Sequence, residues 1–291
     1  MLATLAALPD PVYLLDLRST RLALLELTLL AVCGGAVGAL VVLRRLAFFS
    51  HAVGTATFPA AVVAQAAAFS PRLAALALAC AFAFGTERGA RDGRDPGGPA
   101  TGLMLVAALA AGTILASDVF HSGAGVDRLL FGSLVPVRGS DLATAAAAAG
   151  LALVAVALLG RAWVAAAFDP EGVSALGLPR RALDRGLLLL VAFCVVASLP
   201  AVGSLLVTSL FVVPAAIALL VARGPVALLG IAVAVAVGQA VLGLYASLWL
   251  DVPPGPVIAV LGALAYAVVA MAPFAGKAIH PVATPAPESV P

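Results

Sequence analysis

Apolar residues in this chain run in long stretches, with neither the alternation of a half-buried strand nor the three-to-four spacing of a surface helix. Read from one cluster of charges, glycines and prolines to the next, the stretches fall at 22–43, 52–69, 73–86, 101–117, 141–160, 183–199, 203–222, 226–249 and 256–273. A helix needs about 20 apolar residues to cross a hydrocarbon core. The pattern therefore predicts an all-α, polytopic transmembrane bundle of nine helices. The second and third stretches are short and parted only by Ser70, Pro71 and Arg72, so a hairpin or re-entrant pair with eight full crossings is the alternative.

Loop charge orients the bundle. With the N-terminus outside, Arg44, Arg45, Arg88, Arg91, Arg94, Arg161, Arg180, Arg181, Arg185, Arg223 and Lys277 share one side. The other side takes Arg18, Arg21, Arg72, Arg128 and Arg138. Eleven against five predicts N-out, C-in. The expected organisation is an extracytoplasmic segment over 1–21, a membrane domain over 22–273 and a proline-rich, disordered cytoplasmic tail over 274–291. The short Met1–Pro9 stretch, followed by Asp10, Asp16 and Arg18, lacks a secretory signal pattern, and the first span is expected to direct insertion uncleaved.

Composition agrees with lipid as the solvent: of 291 residues, 63% are hydrophobic and 10% charged, with mean hydropathy +1.16. There is too little polar surface for a water-exposed globule, which excludes a cytosolic enzyme, a nucleic-acid-binding domain and a disordered chain. The net charge of +2 implies no anionic partner. Cys33, Cys80 and Cys194 each sit in an apolar run and read as small hydrophobes.

Two loops carry different signals. Residues 86–100 mix charges with Gly and Pro and read as a solvated connector. Within 161–185, the sequence FDPEGVSALGLP predicts a short cytosolic surface helix at about 168–179, with Asp169 as N-cap, Pro170 at the first helical position, Glu171 in the first turn, and Gly177 and Pro179 as the stop. Such a helix either seals the loop or docks a soluble partner.

Polar side chains in the apolar runs are few. Glu26 lies near the outer end of the first span and reads more readily as an interfacial acid than as a ligand. His51 follows Ser50, the expected N-cap of the second span, and imidazole is a common ligand for divalent metals. Asp118 and His121, three apart and near Asp127, form a candidate metal entrance in a loop with Gly123 and Gly125; a flexible polar loop is the competing reading. Ser204 and Thr208, expected one helical turn apart above Pro214, make a candidate gating segment, with plain small-residue packing as the alternative. Gln65 and Gln239 are candidate interhelical glue.

Five segments share an order with a known family. RRLAFFSHA, LLFGSLVPV, FDPEGVSALGLP, VGSLLVTSLFVVPAAIALLVAR and DVPPGP resemble, in register over about 22–273, the membrane permease subunits of metal-ion ABC importers of the zinc, manganese and iron group. The resemblance implies a plasma-membrane homodimer around a central path, ATP-binding cassette subunits docked from the cytosol, and an extracytoplasmic metal-binding protein that delivers the cargo. It further implies that Glu171, Ala175 and Gly177, with Asp169 capping, belong to the coupling helix. The family's acidic residue and histidine, four positions apart, fall on His51 and Thr55 when Arg44 and Arg45 are aligned. The pair is thus replaced by one imidazole and one hydroxyl.

The chain lacks a motor of its own. Its single lysine, Lys277, follows Gly276 but precedes Ala278, and Met271 stands where a Walker A loop needs its first glycine. ATP is expected to be bound and hydrolysed in a partner subunit, with no cofactor on this chain beyond the transported metal. A gradient-driven secondary transporter is the alternative, but it would place charged coupling residues at mid-membrane, and none is evident. An intramembrane enzyme fits less well, because Ser122 and His121 adjoin in a loop and sequence neighbours do not face one another as a catalytic pair.

Overall fold

The computed structural model describes residues 18–66, 69–91, 99–120, 132, 137–175, 177, 179–204 and 206–272. Among these are ten α-helices: α1 Arg18–Leu43, α2 Ala47–Ala66, α3 Pro71–Arg91, α4 Pro99–Phe120, α5 Gly139–Phe168, α6 Pro170–Ala175, α7 Arg180–Val202, α8 Val207–Val221, α9 Pro225–Leu250 and α10 Pro254–Met271. A helix lies over each of the nine apolar runs, and α6 is the short surface helix. By length and composition, α1, α5, α7, α9 and α10 are apolar enough to cross a membrane.

α1 is the hub, packed against α5, α7, α8 and α9. Leu27, Leu30, Val37 and Leu40 are fully buried, as expected of a helix apolar on all sides and enclosed by others. Its glycines set the approach distances. A Cβ on Gly35 would stand 2.5 Å from Val233 Cα of α9, and one on Gly38 would overlap the Phe211 carbonyl of α8. In lipid no hydrophobic effect drives helices together, so dispersion at close backbone contact has to do so. α5 offers α1 a matching stripe of Ala145, Ala148, Ala149 and Ala152, at the spacing of one helix face. Its Leu151, Val154 and Leu158 remain exposed.

α2, α3 and α4 form a second group, with α2 between the other two, and α7 joins the groups by packing on α1, α2, α3 and α5. Phe49 of α2 and Phe82 of α3 stack tilted with centroids 6.1 Å apart. α9 and α10 pack through Gly243 and Gly262, which lie against Ile258 and Gln239. The DVPPGP turn between them has Asp251 in the left-handed region at φ 51°, and the Ser247 hydroxyl donates to the Val252 carbonyl at 2.6 Å.

Several boundaries differ from the sequence expectation. α3 continues to Arg91 and α4 begins at Pro99, so much of the expected 86–100 connector is helical. α5 runs to Phe168 instead of ending near 160, because Trp163 and Ala166 have a buried face to fill against α7. Ser50 is not an N-cap: Arg45 turns the chain at φ 55°, α2 starts at Ala47, and the Ser50 hydroxyl donates back to the Ala47 carbonyl at 2.8 Å. The 1–17 and 273–291 segments lie outside the described residues.

The close contacts of α1 make a direct prediction. Gly35→Val and Gly38→Val should each lower the melting temperature of the detergent-solubilised protein by at least the equivalent of about 1–3 kcal/mol of overpacking. Gly230→Ala on α9, where a Cβ meets nothing within 4 Å, should match or exceed wild type, because Ala restricts the unfolded chain. Equal melting temperatures for all three variants would contradict the role of the α1 glycines.

Candidate metal path and coupling face

Gly203, Ser204 and Leu206 lie outside the helices, in the turn between α7 and α8, with Gly203 at φ 89°. Ser204 therefore lies in this turn and Thr208 in α8, which corrects the expectation that both sit on one helix a turn apart. The turn is pressed onto α2 at Gly54, where a Cβ would stand 2.8 Å from Val207 Cγ1 and 3.1 Å from the Ser204 carbonyl oxygen. A side chain at 54 would push the segments apart.

That approach gathers the polar residues singled out in the sequence. His51 Nδ1 is 3.1 Å from Thr208 Oγ1, with the donor set by the ring tautomer. The Thr55 hydroxyl donates to the His51 carbonyl at 3.1 Å, and the Thr57 hydroxyl to the Gly54 carbonyl at 2.7 Å. Pro59 inside α2 has no N–H, so the Thr55 carbonyl lacks its α-helical donor. Ser204 Oγ is buried without a hydrogen-bond partner. One imidazole, hydroxyls and a carbonyl oxygen thus line the contact of α2 with the α7–α8 turn. The cluster offers hard to borderline ligands and no carboxylate.

Pro214 works by the same rule. It removes the α-helical donor from the Leu210 carbonyl, and that oxygen lies over Gly34 of α1, 2.9 Å from where a Cβ would be. Glycine on α1 and proline on α8 thus form one contact. Gln239 bridges helices as expected: its Nε2 donates to the Ile258 carbonyl at 2.8 Å, while Oε1 is buried without a partner. Glu26 is buried within the bundle, because α1 is enclosed by its neighbours.

Asp118 is not brought to His51 and Thr55. Gly102 of α4 lies next to Phe48 at the start of α2. Asp118 is 16 residues further along α4, roughly 24 Å at 1.5 Å per residue, whereas His51 stays near the start of α2. His121 and Asp127 lie outside the described residues, as does the side chain of Gln65. No group of three or more His, Cys, Asp or Glu that could hold a metal occurs among the described residues.

α6 follows its sequence signals. The Asp169 carboxylate accepts from the Gly172 N–H at 2.8 Å, and its carbonyl accepts from Val173 N–H at 3.3 Å, so it closes α5 and caps α6. Val173 is buried while Glu171, Ala175 and Gly177 are exposed; positions 171 and 175 share one helix face. Gly177 takes φ 73°, the left-handed stop that glycine supplies without strain. The helix is therefore anchored on one side and open on the other.

Sequence reasoning missed Glu87, Trp163 and Asp184, and treated Arg44 and Arg185 only as topology signals. In the structure Arg44 pairs with Asp184 and Arg185 with Glu87. The available signal was the mixed-charge RRALDR segment opening the sixth span.

Comparison with known proteins places this geometry. The chain is 27% identical over 245 residues, 84% of each chain, to the manganese transport system membrane protein MntC of Halalkalibacterium halodurans. It is 32% identical over 167 residues to the chelated iron transport system membrane protein YfeD of Yersinia pestis, covering 57% of this chain and 56% of that one. The solved structure of PsaBC from Streptococcus pneumoniae in complex with Fab has the same fold, with TM-score 0.80 at 21% identity over 90% of this chain and 95% of that chain. The family model for the ABC 3 transport family matches residues 17–273, and this multi-pass membrane protein belongs to that family.

Proposed function

We propose that the chain is the permease subunit of an importer for a divalent first-row transition metal, manganese or iron in preference to zinc, driven by ATP hydrolysis in a separate cassette subunit. The observation that carries the reading is α6: a capped helix, anchored through Val173, presents Glu171, Ala175 and Gly177 outward, with the exposed Arg180 and Arg181 next in the chain. A docking helix requires that arrangement. Membership of the ABC 3 transport family favours this reading over a gradient-driven secondary transporter.

The remaining parts follow from the same reading. Nine crossings with N-out, C-in topology put α6 in the cytosol, where ATP is present. A homodimer would enclose the path, and an extracytoplasmic binding protein would load it. His51, Thr55, Ser204 and Thr208 line that path, with Asp118 and His121 at its entrance and Pro214 in the gating segment. One imidazole among neutral oxygens suits manganese and iron, while a thiolate set would select softer ions. Neutral ligands also release the ion readily, which a conduit requires. The motion is a shift between two helix packings biased by the partner's nucleotide state.

Two outcomes test the reading. Glu171→Arg and Ala175→Trp should each reduce ATP-driven manganese uptake in proteoliposomes roughly tenfold or more, with insertion and melting temperature retained, because each changes an exposed side chain of the docking face. Uptake that proceeds at the wild-type rate without any ATPase would refute the assignment. His51→Ala should lower uptake while leaving copurification of the ATPase intact, with a loss on the order of the 10–100-fold typical when a metal site is weakened; unchanged uptake removes His51 from the path.

A further inference from the structure

Three consecutive residues near the start of α7 are each bonded to a different helix. The indole Nε1 of buried Trp163, on α5, donates to the Leu183 carbonyl at 2.8 Å. Asp184 accepts from Arg44, which immediately follows α1, and its second oxygen lies 3.6 Å from Arg180 Nε. Arg185 donates through Nε and Nη2 to the two oxygens of Glu87 on α3, both at 3.1 Å, and its guanidinium sits 5.9 Å from the centroid of Phe84. Side chains of consecutive helical residues point about 100° apart, so the Asp184 and Arg185 bonds leave α7 in different directions, while the Leu183 bond is made by the backbone carbonyl. All of this lies a few residues beyond α6.

Stability alone does not account for the set. The Arg185 and Asp184 side chains are 41% and 29% exposed, while their partners Glu87 and Arg44 are only 8% and 14% exposed; pairs with one end in water stabilise modestly, although loss of one partner leaves a poorly hydrated charge behind. Orientation in the membrane does not account for it either, since carboxylates count for little in the positive-inside rule. What the set provides is direction. The two parallel bonds of Arg185 to Glu87 fix the angle as well as the distance between α7 and α3. Arg44 is only three residues from the start of α2, whose second turn carries His51.

We infer that Leu183, Asp184 and Arg185 form a transmission node, in which Asp184 and Arg185 are positioning residues that convert displacement of α6 into joint movement of α1, α3 and α5. This rests on α6 being the docking helix. A push on α6 reaches α7 where the two helices touch, and the node passes it on as one rigid turn. Through Arg44 it reaches the start of α2 and hence the His51 cluster. Loss of either ion pair leaves the motor running and loosens its grip on the path.

The test uses the full chain assembled with its ATP-hydrolysing subunit in proteoliposomes, with manganese as the transported probe, and reads ions moved per ATP hydrolysed. Arg185→Glu and Asp184→Arg should each lower that ratio roughly fivefold or more at near-wild-type ATP hydrolysis. The paired swaps Glu87→Arg with Arg185→Glu, and Arg44→Asp with Asp184→Arg, should bring the ratio back to within about twofold, as coupled partners do in a double-mutant cycle. Should charge reversal impair insertion, Arg185→Lys and Asp184→Asn serve instead; Lys lacks the bidentate fork and should lower the ratio at unchanged ATP hydrolysis. An unchanged ratio in the single variants, swaps no better than singles, or a loss that tracks melting temperature overturns the inference. Glu171→Arg run in parallel separates the two readings: no effect there refutes the docking helix itself, whereas a loss there beside unchanged node variants refutes only the node.

Discussion

Gly38 of α1 lies against the carbonyl of Phe211 on α8, and Gly35 against the backbone of α9. In a solvent as apolar as the side chains themselves, burying Leu or Val gains nothing of the kind that holds a soluble core together. Dispersion at short range must supply the attraction, and it falls steeply once backbones separate. The glycine and alanine surfaces of α1 and α5 satisfy that need. Every other element is placed relative to this hub: α8 and α9 on one side, α5 on another, and α7 reaching past it to the α2–α4 group.

Close approach also gives the backbone a chemical role. Pro214 strips the Leu210 carbonyl of its donor, and Gly34 admits that oxygen to the surface of α1. Pro59 does the same to the Thr55 carbonyl, one turn from His51. Breaks of this kind are tolerated at membrane depth where protein encloses them. The turn at 203–206 is such a place, pressed onto Gly54 and bearing a buried hydroxyl with no partner at Ser204. Unsatisfied polar atoms inside a bundle are costly.

The end that bears α6 is built on a different principle. There each ion pair joins a partly exposed side chain to a nearly buried one on another segment, and its geometry fixes orientation as well as contributing energy. Asp169 joins α5 to α6 as a shared cap, and the node at 183–185 binds α7 to three neighbours. Movement at this end and close packing further in are therefore joined through one helix, α7, which belongs to both helix groups.

Much of the architecture was legible in the one-dimensional pattern. Long apolar runs imply membrane helices because an unpaired backbone is too costly in lipid, and Asp-Pro followed by Gly177 marks α6 because capping and left-handed geometry are local properties of a few residues. Other features depended on residues far apart in the chain. That His51 meets Thr208, that Gly54 admits the 203–206 turn, that Trp163 carries α5 past its expected end and that Arg44 and Arg185 have carboxylate partners are all contacts between helices. Their energies are set by which backbones approach closely enough, and only the tertiary packing decides that.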